Sequence, residues 1–281
     1  MQAFDPPRRD FLKGALAAGF ALAVQPVAAS SIITDTLSLD TGLTGIALDD
    51  GILPVYFAHP AGQTTGMPIM LVVQEIFGVH EHIRDICRRL AKLGYLAIAP
   101  ELYFRQGNPA ESSNITTIIS TIVSKVPDQQ VMQDLDATLA WAGLHGGDVK
   151  RAAITGFCWG GRISWLYASH NPDLKAGIAW YGKLVGEHDP MTPSQPVDLA
   201  ANLAVPVLGL YGGQDGSIPQ DSVNTMRNAL QQGHSGSQIV VYPQAGHAFN
   251  ADYRPSYNAA AAQDGWQRMQ TWLDSHGMAV R

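Results

Sequence analysis

The sequence predicts a single α/β domain, a mostly parallel sheet covered by helices on both faces. Short continuous apolar runs recur at residues 68–74, 152–157, 176–180 and 205–211, the pattern of strands buried on both sides. Between them lie stretches with apolar residues at three- and four-residue spacing, the mark of helices packed by one face. The alternation continues from residue 68 to the last helix, with no internal repeat or low-complexity break. Parallel strands require such crossovers. With 281 residues, 46% apolar and 15% charged, the chain suits one domain, since α/β enzymes of this length commonly form a single unit.

Each element has its own signal. Residues 45–48 and 53–58 read as a hairpin turning at Asp49-Asp50-Gly51. Residues 68–74 form the first buried strand. Ile83, Ile86, Cys87, Leu90 and Leu93 share one face of a helix over 82–93, which Gly94 ends. Residues 95–99 are a short strand stopped by Pro100. From 101 to about 131 the pattern is weakest, a loop with one helical piece near 115–126. Residues 134–144 are helical, 152–157 a strand and 160–170 a helix. Strands at 176–180 and 205–211 follow, then a helix over 223–232, a strand over 238–242 and a final helix over 257–276.

The N-terminal 29 residues stand apart from this domain, which is expected over 30–281. Arg8-Arg9 precedes an apolar stretch from Gly14 to Val24, and Val27-Ala28-Ala29 offers small residues for cleavage before Ser30. The stretch is too short for a bilayer span, which takes about 20 residues. The arrangement resembles a twin-arginine signal, which implies export of a folded chain to the periplasm or beyond. A net charge of −6 with no basic cluster after the N-terminus argues against nucleic acid or an anionic membrane as partner. A small molecule is the expected partner and a monomer the expected state. Cys87 falls in a helical pattern and Cys158 in a motif of its own, so no disulfide is expected between them.

That motif carries the chemistry. Gly156-Phe157-Cys158-Trp159-Gly160 joins a strand to a helix, a Gly-x-Cys-x-Gly nucleophile elbow with sulfur in place of the usual hydroxyl. The two glycines remove side chains that would collide in the sharp turn. The thiol then stands at a helix N-terminus, whose dipole favours a thiolate. Further on, a buried strand stops at Gly212-Gly213-Gln214-Asp215 and another at Ala245-Gly246-His247. Nucleophile, acid and base thus follow in the order this kind of fold requires, each just beyond a strand's C-terminal end. Asp215 would orient His247, and His247 would move protons to and from sulfur and leaving group. The backbone N–H of Trp159 is one expected oxyanion donor, and that of Ile76 the other. No Cys/His cluster has metal-ligand spacing, so neither metal nor organic cofactor is expected. Trp159, Tyr103, Phe104 and Tyr181 are candidates to line an aromatic pocket.

Taken together, these residues are similar to the dienelactone hydrolase family (carboxymethylenebutenolidase), the cysteine branch of the α/β-hydrolases. The segments that carry the similarity are Gln74-Glu75-Ile76-Phe77-Gly78, Pro100-Glu101-Leu102-Tyr103-Phe104-Arg105, the elbow, Gly213-Gln214-Asp215 and Gly246-His247-Ala248-Phe249. The resemblance implies that Glu75 takes the thiol proton when substrate enters, and that Arg105 pairs with Glu75 and binds a substrate carboxylate. A second family arginine normally follows the base by four residues. Ala251 stands there, and Arg254 comes three later. Either Arg254 replaces it through a shifted loop, or the carboxylate clamp is weaker and the substrate need not be a dienelactone. The expected activity is hydrolysis of an ester or enol-lactone. The alternatives are a broad carboxylesterase or thioesterase, and a non-catalytic periplasmic binding protein on the same fold.

Overall fold

The computed structural model describes residues 31–280; the twin-arginine-type segment expected at 1–29 lies outside the described residues. Eight strands form one sheet: β1 (Leu39–Leu48), β2 (Gly51–Pro60), β3 (Met67–Val73), β4 (Leu96–Pro100), β5 (Gly147–Phe157), β6 (Ala176–Trp180), β7 (Val207–Gly212) and β8 (Gln238–Tyr242). Their order is β1-β2-β4-β3-β5-β6-β7-β8. The hairpin strands β1 and β2 pair antiparallel, and so do β2 and β4. Every other pair is parallel.

The helices are α1 (Glu81–Lys92), α2 (Ile115–Thr121), α3 (Asp128–Leu144), α4 (Trp159–His170), α5 (Pro196–Leu199), α6 (Gln220–Leu230) and α7 (Ala259–Leu273). From β3 the chain passes through α1 to β4 on one side; from β4 it returns through α3 to β5 on the other. Strand order therefore reverses between β3 and β5, and a crevice opens beyond their C-terminal ends. All residues of β3, β4, β6 and β7 are buried, as their unbroken apolar runs require.

The differences from the sequence reading have local causes. β1 begins at Leu39, well before residue 45, because all ten of its residues register with β2 although only one side chain is buried. β5 gains residues 147–151, none of them buried; Gly147 and Asp148 pair with β3, and the register shift at Pro68/Ile69 passes over the next three. The helix expected from 134 starts at Asp128, and its added turn holds the carboxylate that pairs with Arg162. Within 101–131 the chain builds short turns capped by side chains. Asn108 Oδ1 accepts from Ala110 N–H at 3.0 Å and Asn114 Oδ1 from Thr117 N–H at 3.1 Å, satisfying donors that a helix start leaves free. No described helix is long and apolar enough to cross a membrane. Both cysteines are free.

Candidate active site

Cys158 links β5 to α4 with φ 57° and ψ −113°, a left-handed backbone that a residue with a side chain seldom adopts. Its surroundings leave no other course. A Cβ on Gly156 would lie 2.1 Å from the Gly160 carbonyl oxygen, and one on Gly160 would lie 2.5 Å from the Gln74 and Val73 oxygens. The Cys158 N–H donates to the Trp180 carbonyl at 3.0 Å, tying the elbow to the end of β6. Arg162, one turn into α4, makes a buried bidentate pair with Asp128 at 2.7 Å and donates to Gln195 at 3.0 Å. The helix that carries the thiol is thereby fixed to the start of α3 and to the loop before α5.

Asp215 follows β7. Its Oδ1 accepts the N–H groups of Ser217 and Ile218 at 2.8 and 3.2 Å, and its Oδ2 holds His247 Nδ1 at 2.7 Å. His247 follows β8 and is buried. Its Nδ1 is hydrogen-bonded to Asp215, and its ring interacts electrostatically with the Cys158 sulfur. Burial alone would lower its pKa, but the Cys158 sulfur and the Asp215 carboxylate together push it up to about 10. Sulfur, imidazole and carboxylate are thus joined in line, from three strand ends.

Opposite them, the segment after β3 turns back on itself through a bridge between Glu75 and Gly78, with Ile76 opening the turn. Glu101 Oε2 accepts the Val79 N–H at 3.1 Å, and Gln74 Oε1 accepts the Leu102 N–H at 3.2 Å, so the two loops flanking the site are stitched together. Trp159 begins α4, and its N–H lies before the helix's own carbonyls, as the first N–H groups of any helix do. Tyr103 is buried edge-on to Trp159 with ring centroids 4.9 Å apart, and Tyr181 packs edge-on to His247 at 5.3 Å.

Glu75 is almost wholly buried. Its Oε2 accepts the Tyr253 hydroxyl at 2.6 Å and contacts His80 Nε2 at 3.3 Å, with Arg254 Nη2 at 3.9 Å. Burial would raise its pKa, but the Arg254 charge and the His80 hydrogen bond outweigh it and hold the carboxyl well below its usual range. Arg254 Nη2 donates to the Tyr253 hydroxyl at 2.8 Å, and its guanidinium lies over the Phe77 and Tyr253 rings at 4.6 and 4.8 Å. Its Nε and Nη1 are buried with no protein partner among the described residues.

Arg105 is not in this group, which corrects the expectation that it pairs with Glu75. It makes bidentate contacts with Asp50 at 2.6 and 2.9 Å and with Asp134 at 2.8 and 3.0 Å. Two carboxylates from the hairpin turn and α3 claim its donors, so it fastens those elements together. Phe104 goes with it, its ring stacked on the guanidinium at 4.2 Å and set against Gly51. The arginine facing Glu75 is Arg254. Sequence reasoning missed Tyr253, His80 and His82. His80 and His82 stack 6.1 Å apart, and each touches the Tyr253 ring. Beneath them Asp252 takes Arg89 at 2.5 Å and His82 at 3.5 Å, anchoring the Tyr253-Arg254 loop to α1. The His-x-His pair directly after the glutamate loop was the available signal.

The depressed pKa of Glu75 has a measurable consequence. A carboxylate held below its unfolded value, about 4.3, adds stability that is present above that pH and fades as pH falls towards the folded value. The stability advantage of the wild type over Glu75→Gln should therefore be largest near neutral pH and shrink below about 4.3. Urea unfolding of both proteins across that range tests it. An advantage independent of pH would mean that Glu75 is not held ionised by Arg254.

Among the described residues no group of three or more His, Cys, Asp or Glu side chains is placed to hold a metal ion. A surface cavity of about 570 Å³ between β8 and α7, lined by Val240, Arg268 and Trp272, shares no residue with this site. What the arrangement can do is covalent catalysis, with a thiol, a base interacting with it, an orienting carboxylate and a separate buried carboxylate–arginine pair.

Comparison with known proteins agrees with the geometry. The profile of the dienelactone hydrolase family matches residues 53–277. A candidate carboxymethylenebutenolidase of Escherichia coli (strain K12) is 58% identical over 259 residues, spanning 92% of this chain and 96% of its own. Another, of Methylorubrum extorquens, is 57% identical over 274 residues, spanning 97% and 94%. The crystal structure of a candidate dienelactone hydrolase of Klebsiella pneumoniae subsp. pneumoniae superposes with a TM-score of 0.82 at 60% identity, covering 84% of this chain and 98% of that one.

Proposed function

The chain belongs to the dienelactone hydrolase family, a hydrolase acting on ester or lactone bonds, and on that premise we propose that it cleaves an ester or enol-lactone borne by an anionic small molecule, with Cys158 as nucleophile. The observation that carries this reading is the grouping of Cys158, His247 and Asp215, with His247 hydrogen-bonded to Asp215 and interacting with the Cys158 sulfur, and Cys158 held in a left-handed turn at the start of α4. The orphaned Nε and Nη1 of Arg254 supply the anion preference. A buried cation with unused donors favours an anion, which accepts a charge-assisted hydrogen bond from it.

In this reading substrate docks its carboxylate on Arg254, and Glu75 takes the proton from the Cys158 thiol, an S–H bond giving way to an O–H bond. The thiolate attacks the carbonyl carbon. The electron pair displaced onto oxygen is held by the N–H groups of Ile76 and Trp159, each such donor contributing roughly 10²–10³-fold. The C–O bond then breaks, and the leaving oxygen takes the proton of the His247 imidazolium, leaving that ring neutral. Water, deprotonated by the now neutral His247, attacks the thioester; the C–S bond breaks with its electron pair on sulfur, which takes back the proton held by Glu75 as the acid is released. Asp215 holds the imidazole's tautomer throughout.

Hydrolysis of a dienelactone beside a simple neutral aryl ester tests the substrate class. A kcat/KM at least about tenfold higher for the dienelactone is expected, a preference of about 1.4 kcal/mol. Equal or inverse preference would leave a broad esterase and remove the lactone.

A further inference from the structure

Tyr181 is held in a conformation its side chain disfavours, in a place where its hydroxyl has no protein partner. Its φ is +40°, in the left-handed region that costs a bulky residue roughly 1–3 kcal/mol. The cause lies in the backbone on either side. Trp180 gives its carbonyl to the Cys158 N–H at 3.0 Å. Gly182 is wedged against α4 so closely that a Cβ there would lie 2.2 Å from the Gly161 carbonyl carbon. Between these fixed points the Tyr181 N–H donates to the Leu210 carbonyl at 2.8 Å, and the ring is thrown across the site. It meets His247 edge-on at 5.3 Å and packs on Phe249 at 5.2 Å and Phe157 at 6.3 Å.

The hydroxyl at the end of this ring is fully buried and makes no hydrogen bond among the described residues. A buried hydroxyl without a partner costs about 1–3 kcal/mol. A packing residue would lose nothing by being phenylalanine. Strain and an orphaned polar atom at one residue, touching the base of the triad, point to a partner that arrives with the substrate. Burial raises the phenol's pKa, and the charges of Glu75, Tyr253 and Cys158 raise it further, so it remains a donor. The carbonyl oxygen already has its donors in this reading, Ile76 from the turn after β3 and Trp159 from the start of α4. The oxygen that lacks one is the leaving oxygen, which lies towards His247.

We propose that Tyr181 is a catalytic residue whose hydroxyl donates a hydrogen bond to the leaving oxygen as the substrate C–O bond breaks. The electron pair of that bond passes to the leaving oxygen. Tyr181 keeps its proton and spreads the new charge, while any proton transferred comes from His247. This rests on the reading of Cys158 as the nucleophile. The need for Tyr181 grows with the basicity of the leaving group, because a poor leaving group carries more charge at bond breaking.

The test is kcat/KM, which reports acylation, for Tyr181→Phe and wild type over a series of esters from nitrophenyl through phenyl to alkyl. Activity on the alkyl and phenyl esters should fall by about 10²-fold, and on the nitrophenyl ester by less than about threefold, the size expected for losing one charge-stabilising donor. The melting temperature of Tyr181→Phe should not fall, since the substitution removes an unpaired buried hydroxyl. A uniform loss across the series, or none, would overturn the proposal. Mass spectrometry of the acylated enzyme separates the two readings. An acyl group on Cys158 in Tyr181→Phe, with an unchanged leaving-group dependence, removes only the role of Tyr181. Absence of any Cys158 adduct in the wild type during turnover removes the nucleophile assignment and the proposal with it.

Discussion

Cys158→Ala should lower kcat on any ester substrate by about 10⁴-fold or more, because in a coupled triad losing the nucleophile costs nearly as much as losing all its members. Residual turnover of about 10³-fold over water would remain from the oxyanion donors and binding. The fold should survive. Alanine keeps the Cβ that the elbow already accommodates, and the Cys158 backbone bonds to Trp180 and Gly161 are untouched. Cys158→Ser is the sharper companion. It keeps a nucleophilic atom, but a hydroxyl is a far weaker acid than a thiol, so a carboxylate that accepts the thiol proton once substrate has drawn on the Arg254 charge is still too weak a base to ionise it. Its activity should stay within about tenfold of Cys158→Ala. Steady-state kinetics on an aryl ester, with intact-protein mass to detect the acyl adduct, decides the matter. Activity that survives in Cys158→Ala would sink the covalent mechanism.

Where the fold was readable, the cause was local. The buried strands carry unbroken apolar runs because both faces are covered, and Cys158, Asp215 and His247 could be picked out as candidates because each follows within a few residues of a strand's end. What escaped was set by distant partners. The helix start at Asp128 depends on Arg162, 34 residues away, and the length of β1 depends on main-chain pairing that leaves no side-chain pattern. The arginine assignment failed for the same reason. In sequence Arg105 sits in the family's arginine segment, but Asp50 and Asp134 lie 55 and 29 residues away and claim it. Tyr253, 178 residues from Glu75, meets it because Asp252 anchors their loop to Arg89 on α1. Charge pairing across a fold is non-local, and a single sequence does not show which of several acids an arginine reaches.

Arg254 gives the second large effect, and its two roles can be separated. Arg254→Met keeps much of the side-chain volume and removes the charge. If an unpartnered donor of its guanidinium receives the substrate carboxylate, kcat/KM for a carboxylate-bearing lactone should fall by about 10²–10³-fold, as when one member of a buried charge pair is truncated. A neutral aryl ester should lose less than about tenfold. The same substitution leaves Glu75 buried without its cation, which should cost about 3–5 kcal/mol of stability. Adding Glu75→Gln removes the stranded charge and should restore much of that stability, because the loss belongs to an uncompensated charge rather than to packing. It should not restore the preference for the anionic substrate, which needs the guanidinium itself. Kinetics on both substrates, with urea unfolding of the two single variants and the double variant, separates the roles. Should both substrates lose activity equally, Arg254 serves only to hold Glu75, and the anion must be recognised elsewhere.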